Sequence, residues 1–507
     1  MDTEIELKFF VSSDFSHRIR DKIVGVKQLQ QSQRELGNIY FDTPDFTLRK
    51  HDIGLRVRRF DGVYIQTLKT AGRVVAGLHQ RPEYNAELNG PEPDLSLIPV
   101  EAWPDGLDIQ ALASQLQPLF STDFVRRQWL LATEDGSQIE LACDQGEVST
   151  DAGDKDVISE VELELISGQT DALFSLARNL ADEGGVRLGN LSKAARGYRL
   201  ATGYQGDPVT ALSIVKLRDD DSQEKALIRI LEHALSHWHY HEQIYIERES
   251  LDALQEIRYA VLLIRQALAL FGSVVPRRAS TLLRQELQWF EGELAWLDHA
   301  TAIARLCEDK GQYLRKLNAR KSLVKALKEK HETLPEREDV VALLHASRYC
   351  NLLLDLSRWI LSKGWQPFLD DKAEEKLAQP IQHFADKALP DSWQELLAVF
   401  DETKTLTRHD YFDQYPRLQR NLLLGTCLAS LFDKSRRKAF RLPWLDMLQG
   451  IEELRLLEPV RELVAELDDD EDKKQAEKWL ARKEESLLHA MTQSRQTGLT
   501  LTPYWQD

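Results

Sequence analysis

In separate short segments across the first 165 residues charged side chains recur at every second position, and that spacing limits what this chain can fold into. The sequence opens with Glu4-Ile5-Glu6-Leu7-Lys8. Side chains on a β-strand alternate between faces, so two carboxylates and an ammonium share one face, with Ile5 and Leu7 on the other. On a helix the same residues would scatter. The pattern returns in Gly54-Leu55-Arg56-Val57-Arg58, in Ile65 to Lys69, and in Arg81, Glu83 and Asn85. Arg126 lies in Phe124 to Trp129, which leads an apolar run, and Ile139 to Asp144 alternates again. Glu160, Glu162 and Glu164 then place three carboxylates on one face. One such strand is the solvated face of an ordinary half-buried strand. Acidic and basic faces on separate strands imply more. Turned inward in a closed antiparallel barrel, they would line a lumen with carboxylates and cations. Such a lumen suits a polyanion chelated to a metal, because Arg and Lys take phosphate oxygens and Glu takes Mg²⁺ or Mn²⁺.

Near residue 200 the period changes. Gly203, Gly206 and Pro208 mark a linker over 203–214. Beyond it, Gln223 to Arg248, Leu251 to Gly272, Ala279 to Asp309, Leu343 to Ser362, Trp393 to Leu406 and Leu418 to Phe432 carry apolar residues at helical spacing. The fold class expected is therefore α+β in two domains: a β-rich domain over 1–202 and an all-α domain over 215–507. The length of 507 residues agrees with two or three domains. Lys8 and Glu6 stand where a signal peptide would need apolar residues, and no apolar run reaches spanning length, so a cytoplasmic protein is expected. Cys143, Cys307, Cys350 and Cys427 lie far apart and read as reduced thiols. A net charge of −17 argues against a general nucleic-acid binder, though not against a buried basic tunnel.

Other constellations read as structural. His233, His237 and His241 share a helix face, a spacing that can hold Zn²⁺, but no further ligand is suggested and packing is the simpler role. Gly184-Gly185 lacks a following Lys-Ser/Thr and fits a helix C-cap turning toward Lys193. Tyr40 to Asp45 reads as a structural turn, and Asp468 to Asp472 as a solvated turn or helix start. There is no Ser/His/Asp triad, Cys nucleophile or Rossmann fingerprint. Glu4 and Glu6 could serve as a glycosidase pair, which leaves the many cations unexplained.

Glu4-x-Glu6-x-Lys8, followed by Gly54 to Arg58, Thr67 to Lys69, Arg81-x-Glu83, Glu160 to Glu164 and Ser192 to Tyr198, resembles the CYTH superfamily, the triphosphate tunnel metalloenzymes. Class IV adenylyl cyclases, thiamine triphosphatases and inorganic triphosphatases belong to it. The resemblance implies a closed antiparallel eight-stranded barrel. It implies that Lys8, Arg56, Arg58, Lys69, Arg81, Arg126 and Lys193, with Arg196 as a further candidate, clamp phosphates. It also implies that Glu4, Glu6, Glu162 and Glu164, with Glu83 and Glu160, hold Mg²⁺ or Mn²⁺. Glu4, Glu6, Lys8 and Lys69 form its catalytic set. For each single residue a structural salt bridge is the alternative, Arg81–Glu83 most of all. Arg258 to Phe271 and Arg417-Leu418-Gln419-Arg420 resemble CHAD domains, helical bundles of which some bind polyphosphate. Gln255, Leu262, Leu263 and Pro416 depart from that pattern at usually basic or histidine positions, so Arg258, Arg265, Arg277, Arg278 and Arg284 remain either for polyphosphate or as ordinary surface arginines of a helical scaffold. The pairing resembles bacterial inorganic triphosphatases. The expected function is hydrolysis of triphosphate to diphosphate and phosphate. The alternatives are a nucleoside or thiamine triphosphatase, an adenylyl cyclase, or a non-catalytic polyphosphate-binding adaptor.

Overall fold

In the computed structural model, which describes every residue but Met1, Ala76, Glu402 and Asp507, the alternating segments become strands. They are β1 (Asp2–Val11), β2 (Lys27–Asp42), β3 (Gly54–Phe60), β4 (Val63–Lys69), β5 (Arg73–Val75), β6 (Leu78–Leu88), β7 (Gln117–Ala132), β8 (Gln138–Ser149), β9 (Lys155–Ser167) and β10 (Val186–Leu188). Eight of them close in the order β1-β9-β8-β7-β2-β3-β4-β6, and β6 pairs back onto β1. Every pairing is antiparallel. The short β10 extends β1 and β5 extends β6.

Register decides what the lumen contains. Glu6 stands opposite Glu164, Lys8 opposite Glu162 and Glu4 opposite Arg81. Arg126 faces Asp144, and Lys69 faces Glu83. Opposed residues of an antiparallel pair share a face, so the charged faces of separate strands meet on one side of the sheet. The other side is apolar: Leu7, Phe9, Leu55, Val57, Leu68, Leu141, Val161 and Leu163 are buried. Helix Thr170–Ala181 packs on β9, and residues from Leu95 to Leu112 cover Leu55, Val57 and Leu68. The barrel thus inverts the usual arrangement, with polar residues inside and a packed apolar shell outside.

Part of the lumen is filled. Leu36, Tyr40, Phe120, Phe124, Val148 and Ile158 cluster with Tyr198 of helix Lys193–Ala201. Tyr40 stacks on Phe120 at 4.6 Å, and Tyr198 meets Phe120 edge-on at 5.3 Å. A Cβ on Gly197 would stand 2.0 Å from the Phe120 ring, so only glycine lets this helix seat. The turn after β2 is structural as expected: the Asp42 carboxylate accepts from the Thr43, Leu48 and Arg49 amides and from the Tyr198 hydroxyl. Gly184 and Gly185 have φ of +72° and +76° and end helix Thr170–Ala181 before β10, as the C-cap reading requires.

The chain divides into two units, Met1–Asp207 with Val341–Lys363, and Pro208–Val340 with Gly364–Asp507. Helix Ser347–Leu361 therefore belongs to the barrel unit, where it packs on helix Thr170–Ala181 and β10. Arg178 pairs with Asp355, and Arg358 pairs with Asp171 at 2.9 Å. From Gln223 onward the chain is helical. Several boundaries differ from expectation: the helix over Leu418 to Phe432 starts at Arg408, and that over Leu343 to Ser362 starts at Ser347. The segment Ala279 to Asp309 is two helices, Thr281–Glu293 and Leu297–Gly311, because the Leu294 amide turns back to Glu291 and Gly292 and closes the first. The segment Trp393 to Leu406 is the end of helix Ile381–Leu397, whose start at Pro380 lies before the apolar run. Asp469 caps helix Asp470–Thr500, so the acidic stretch is a helix start. No helix among the described residues is long and apolar enough to cross a membrane.

Candidate active site

The lumen holds a cavity of about 630 Å³. Strand spacing delivers its wall: Glu4, Glu6 and Lys8 from β1, Arg56 and Arg58 from β3, Lys69 from β4, Arg81 and Glu83 from β6, Arg126 from β7, Glu162 and Glu164 from β9, and Lys193 from the helix start. Twelve of the fourteen residues singled out in the sequence line it. The other two do not. Arg196 turns away, held by the Asp156 carboxylate at 2.7 Å and by the Val157 carbonyl. Glu160 lies behind the wall with no exposed surface.

The charges sort into three groups. In the first, cations and carboxylates neutralise one another. Lys8 Nζ lies 3.1 Å from Glu160 and 2.9 Å from Glu162. Lys193 Nζ contacts Glu160, lies 2.7 Å from Asp144 and 3.0 Å from Glu162. Arg126 reaches Asp144 at 2.6 Å and Glu162 at 2.7 Å. Burial works against all these charges, but Lys193, Lys8 and Arg126 hold Glu162 well below the usual carboxylate range. Burial likewise opposes the Lys8 ammonium, and Glu160 and Glu162 nonetheless raise its pKa. Asp144, Glu160 and Glu162 are close enough together to chelate a metal. Three cationic side chains already fill that space.

The second group is basic. Among the described residues, Arg56, Arg58 and Arg81 make no ion pair. Arg58 donates only to Asn38, at 2.8 Å, and burial with Arg56 and Arg126 nearby pushes its pKa down to about 9. The buried Nε atoms of Arg56 and Arg81 have no hydrogen-bond partner. Three guanidiniums that line one cavity and make no ion pair can seat an anion.

The third group is acidic. Glu6, Glu164 and Glu140 stand opposite one another across β1, β9 and β8. Among the described residues no cation pairs with Glu6 or Glu164, while Glu140 accepts from Gln128 at 2.6 Å. Burial, then Glu4, Glu140 and Glu6, push Glu164 up to about 8. Burial also raises Glu4 to about 7 against the pull of Lys69. Glu83 goes the other way: burial would raise it, but Lys69 at 3.0 Å and Arg56 bring it down to about 2. The partner of Glu83 is thus Lys69 and not Arg81. A row of carboxylates lacking a counter-charge fits a divalent cation, by oxygen donors and by charge. Glu6 and Glu164, with Glu4 and Glu140 beside them, would hold it.

Residue 2 to residue 198 match the family model of the CYTH domain, and residues 229–455 match that of the CHAD domain. The chain thus matches a CYTH domain over its first part and a CHAD domain after it. An inorganic triphosphatase of Haemophilus influenzae is 40% identical over 205 residues, 39% of this chain and 55% of the relative, so the match spans about half the length of that protein. Among solved structures, the CHAD domain from the plant Ricinus communis is 19% identical, covers 59% of this chain and 99% of that one, and has a TM-score of 0.44. A Hippeastrum protein proposed as an adenylyl cyclase, with a dominant triphosphatase activity, is 19% identical over 39% of this chain and 96% of its own, at a TM-score of 0.30. With scores this low, the assignment of the CYTH barrel rests on its own strands.

Sequence reasoning missed Glu140, Asp144, Tyr40, Arg49 and His79. Glu140 and Asp144 shared a face in an alternating strand and were legible as lumen residues once β8 was placed beside β9. Tyr40 lay in a segment read as purely structural, and it also lines the cavity. His79 bonds the Gly189 carbonyl at 3.2 Å and carries no spacing signal. In the CHAD domain, Arg258 pairs with Asp298 at 2.6 Å, Arg265 pairs with Glu291, and Arg284 bonds Ser280 and the Leu268 carbonyl. The histidines are likewise engaged: His233 with the Ser213 carbonyl at 3.0 Å, His237 with Glu256 at 2.8 Å, and His241 with the Thr210 amide at 3.2 Å.

Proposed function

We propose that the CYTH domain hydrolyses inorganic triphosphate to diphosphate and phosphate with the help of Mg²⁺ or Mn²⁺. The observation that carries this reading is the sorting of charge in one cavity: among the described residues, Arg56, Arg58 and Arg81 make no ion pair with a carboxylate, and Glu6 and Glu164 make none with a cation. The likeness to an inorganic triphosphatase supports it. Phosphoryl transfer needs little covalent help from a protein. It needs the chain of phosphates held in line and the charge on the transferred oxygens neutralised. Arg56, Arg58 and Arg81 would bind and orient the phosphates, and Arg guanidiniums keep their charge throughout. Lys69, fixed between Glu4 and Glu83, would place one further positive charge against them. A divalent cation at Glu4, Glu6 and Glu164 supplies Lewis-acid charge to phosphate oxygens. Burial of the lumen strengthens each of these contacts relative to water.

Inorganic triphosphate is favoured over a nucleotide because Tyr40 and Tyr198, the aromatic phenol rings of the wall, are already packed on Phe120. Both rings thus already have an aromatic partner within the barrel. The test is phosphate release from triphosphate, ATP, thiamine triphosphate and long-chain polyphosphate, each with Mg²⁺ and with Mn²⁺. Selective turnover of free triphosphate is expected. Cyclic AMP formation, or binding without turnover, overturns the proposal.

A further inference from the structure

Glu162 is bound in an unusual way for a residue expected to hold a metal. Its Oε1 lies 2.9 Å from Lys8 Nζ and 3.0 Å from Lys193 Nζ, and its Oε2 lies 2.7 Å from an Arg126 nitrogen. One carboxylate thus faces three cations supplied by β1, β7 and the helix start. Glu160 shares both lysines from the opposite side, where it is fully buried and outside the cavity wall. Glu162 is the member of this pair that lines the cavity, with its side chain 14% exposed. Two ammoniums and a guanidinium converging on one pair of oxygens is the contact set of a phosphoryl group, whose oxygens take the same donors.

We propose that Glu162 is a placeholder anion: it occupies the seat of a phosphoryl group between Lys8, Lys193 and Arg126, and triphosphate must displace it. Glu160 stays behind as the fixed counter-charge that keeps both lysines aimed at the seat. The inference rests on the triphosphatase reading for the identity of the displacing anion. Three consequences follow from the geometry. In the empty lumen Glu162 gives each of the three buried cations a further carboxylate beside the one that Glu160 or Asp144 already supplies. Anions too weakly charged to replace a carboxylate at three donors are excluded. The displaced Glu162 carboxylate is released on the strand that also carries Glu164, two residues away and on the same face, so substrate binding adds a carboxylate to the acidic side of the lumen.

The test is calorimetric titration of the full-length protein with triphosphate in the presence of a chelator, so that no metal contributes. Glu162→Gln keeps the shape and removes the competing charge, and is expected to bind triphosphate at least ten-fold more tightly than the wild type. Glu140→Gln removes a carboxyl from the same lumen that acts on Arg126 only at a distance and makes no ion pair with the three cations. It measures the general electrostatic gain, expected at two- to three-fold. Equal gains in the two variants overturn the proposal. Glu160→Gln is expected to weaken binding, because the lysines lose their fixed counter-charge; a gain like that of Glu162→Gln would overturn the assignment of Glu160. A crystal structure of the wild type with metal-free triphosphate needs no variant to fold: Glu162 still within hydrogen-bond distance of both ammoniums would sink the idea. If the wild type binds triphosphate and Glu162→Gln shows the gain, but no triphosphate is hydrolysed with either metal, the proposed activity fails and the placeholder stands.

Discussion

Burial, with Glu4, Glu140 and Glu6 nearby, pushes the Glu164 carboxyl up to about 8. That has a measurable consequence. Its folded pKa of about 8 lies above the unfolded value of 4.5, so its contribution is fully present below about pH 4.5 and is lost as pH rises through 8. Glu4, raised to about 7, acts in the same direction over a narrower window, whereas Glu83, lowered to about 2, does not titrate in that range. Metal-free protein should therefore melt lower at pH 8.5 than at pH 5.5, and Glu164→Gln should remove on the order of 2 kcal/mol of that difference. Mg²⁺ should restore the wild type at pH 8.5 and do little for Glu164→Gln, because a bound cation takes the place of the protons. Thermal melts at two pH values with and without Mg²⁺ decide it; identical pH slopes in both proteins would remove Glu164 from the metal row. The identities of these residues were legible in the sequence, since Glu4, Glu6, Lys8, Glu162 and Glu164 stood out by spacing alone. Which carboxylate is neutralised and which is left bare was not. That depends on Lys193, which reaches Glu162 from 31 positions away, and on Arg126, from 36.

At the scale of elements, the helix Lys193–Ala201 sets the inner boundary of the cavity. Its seat depends on Gly197, where a Cβ would fall 2.0 Å from the Phe120 ring. Phe120 is itself stacked on Tyr40 and cannot yield freely. Gly197→Ala should therefore lower stability by roughly 1–3 kcal/mol, the cost of overpacking. It should also weaken triphosphate binding, since Lys193 begins the same helix. A variant that melts and binds like the wild type would show that the helix is not held by this contact. Strands with charge alternation were readable one by one. β2 was not, because most of its first nine residues, Lys27 to Glu35, are exposed and polar on both faces, which erases the period-two signal. The three-residue strands β5 and β10 are too short to show any period.

At the scale of the molecule, the barrel unit includes a helix from deep within the later helical stretch. Helix Ser347–Leu361 covers helix Thr170–Ala181 and β10, and the Gly185 amide bonds the His345 carbonyl at 2.9 Å. A chain ending at Asp207 lacks that cover. It should melt several degrees lower than the barrel in the full chain and bind an apolar dye such as anilinonaphthalene sulfonate, because the shed surface is apolar. Calorimetry of the two proteins checks this; an unchanged melting temperature without dye binding would mean that the helix adds no stability to the barrel.

The amino-acid sequence by itself determined the two classes of structure and the charged face of the alternating strands, because period-two and period-3.6 patterns are local properties of the chain, and its resemblance to the CYTH superfamily marked twelve of the residues around the cavity. Only the tertiary structure decided how those charges pair. Register places Glu6, Glu164 and Glu140 in one row and leaves Arg56, Arg58 and Arg81 unpaired, whereas Lys8, Arg126 and Lys193 close on Glu162 and Arg196 turns outward. Electrostatic energy depends on distances across the barrel, and those distances are set by strands far apart in the chain.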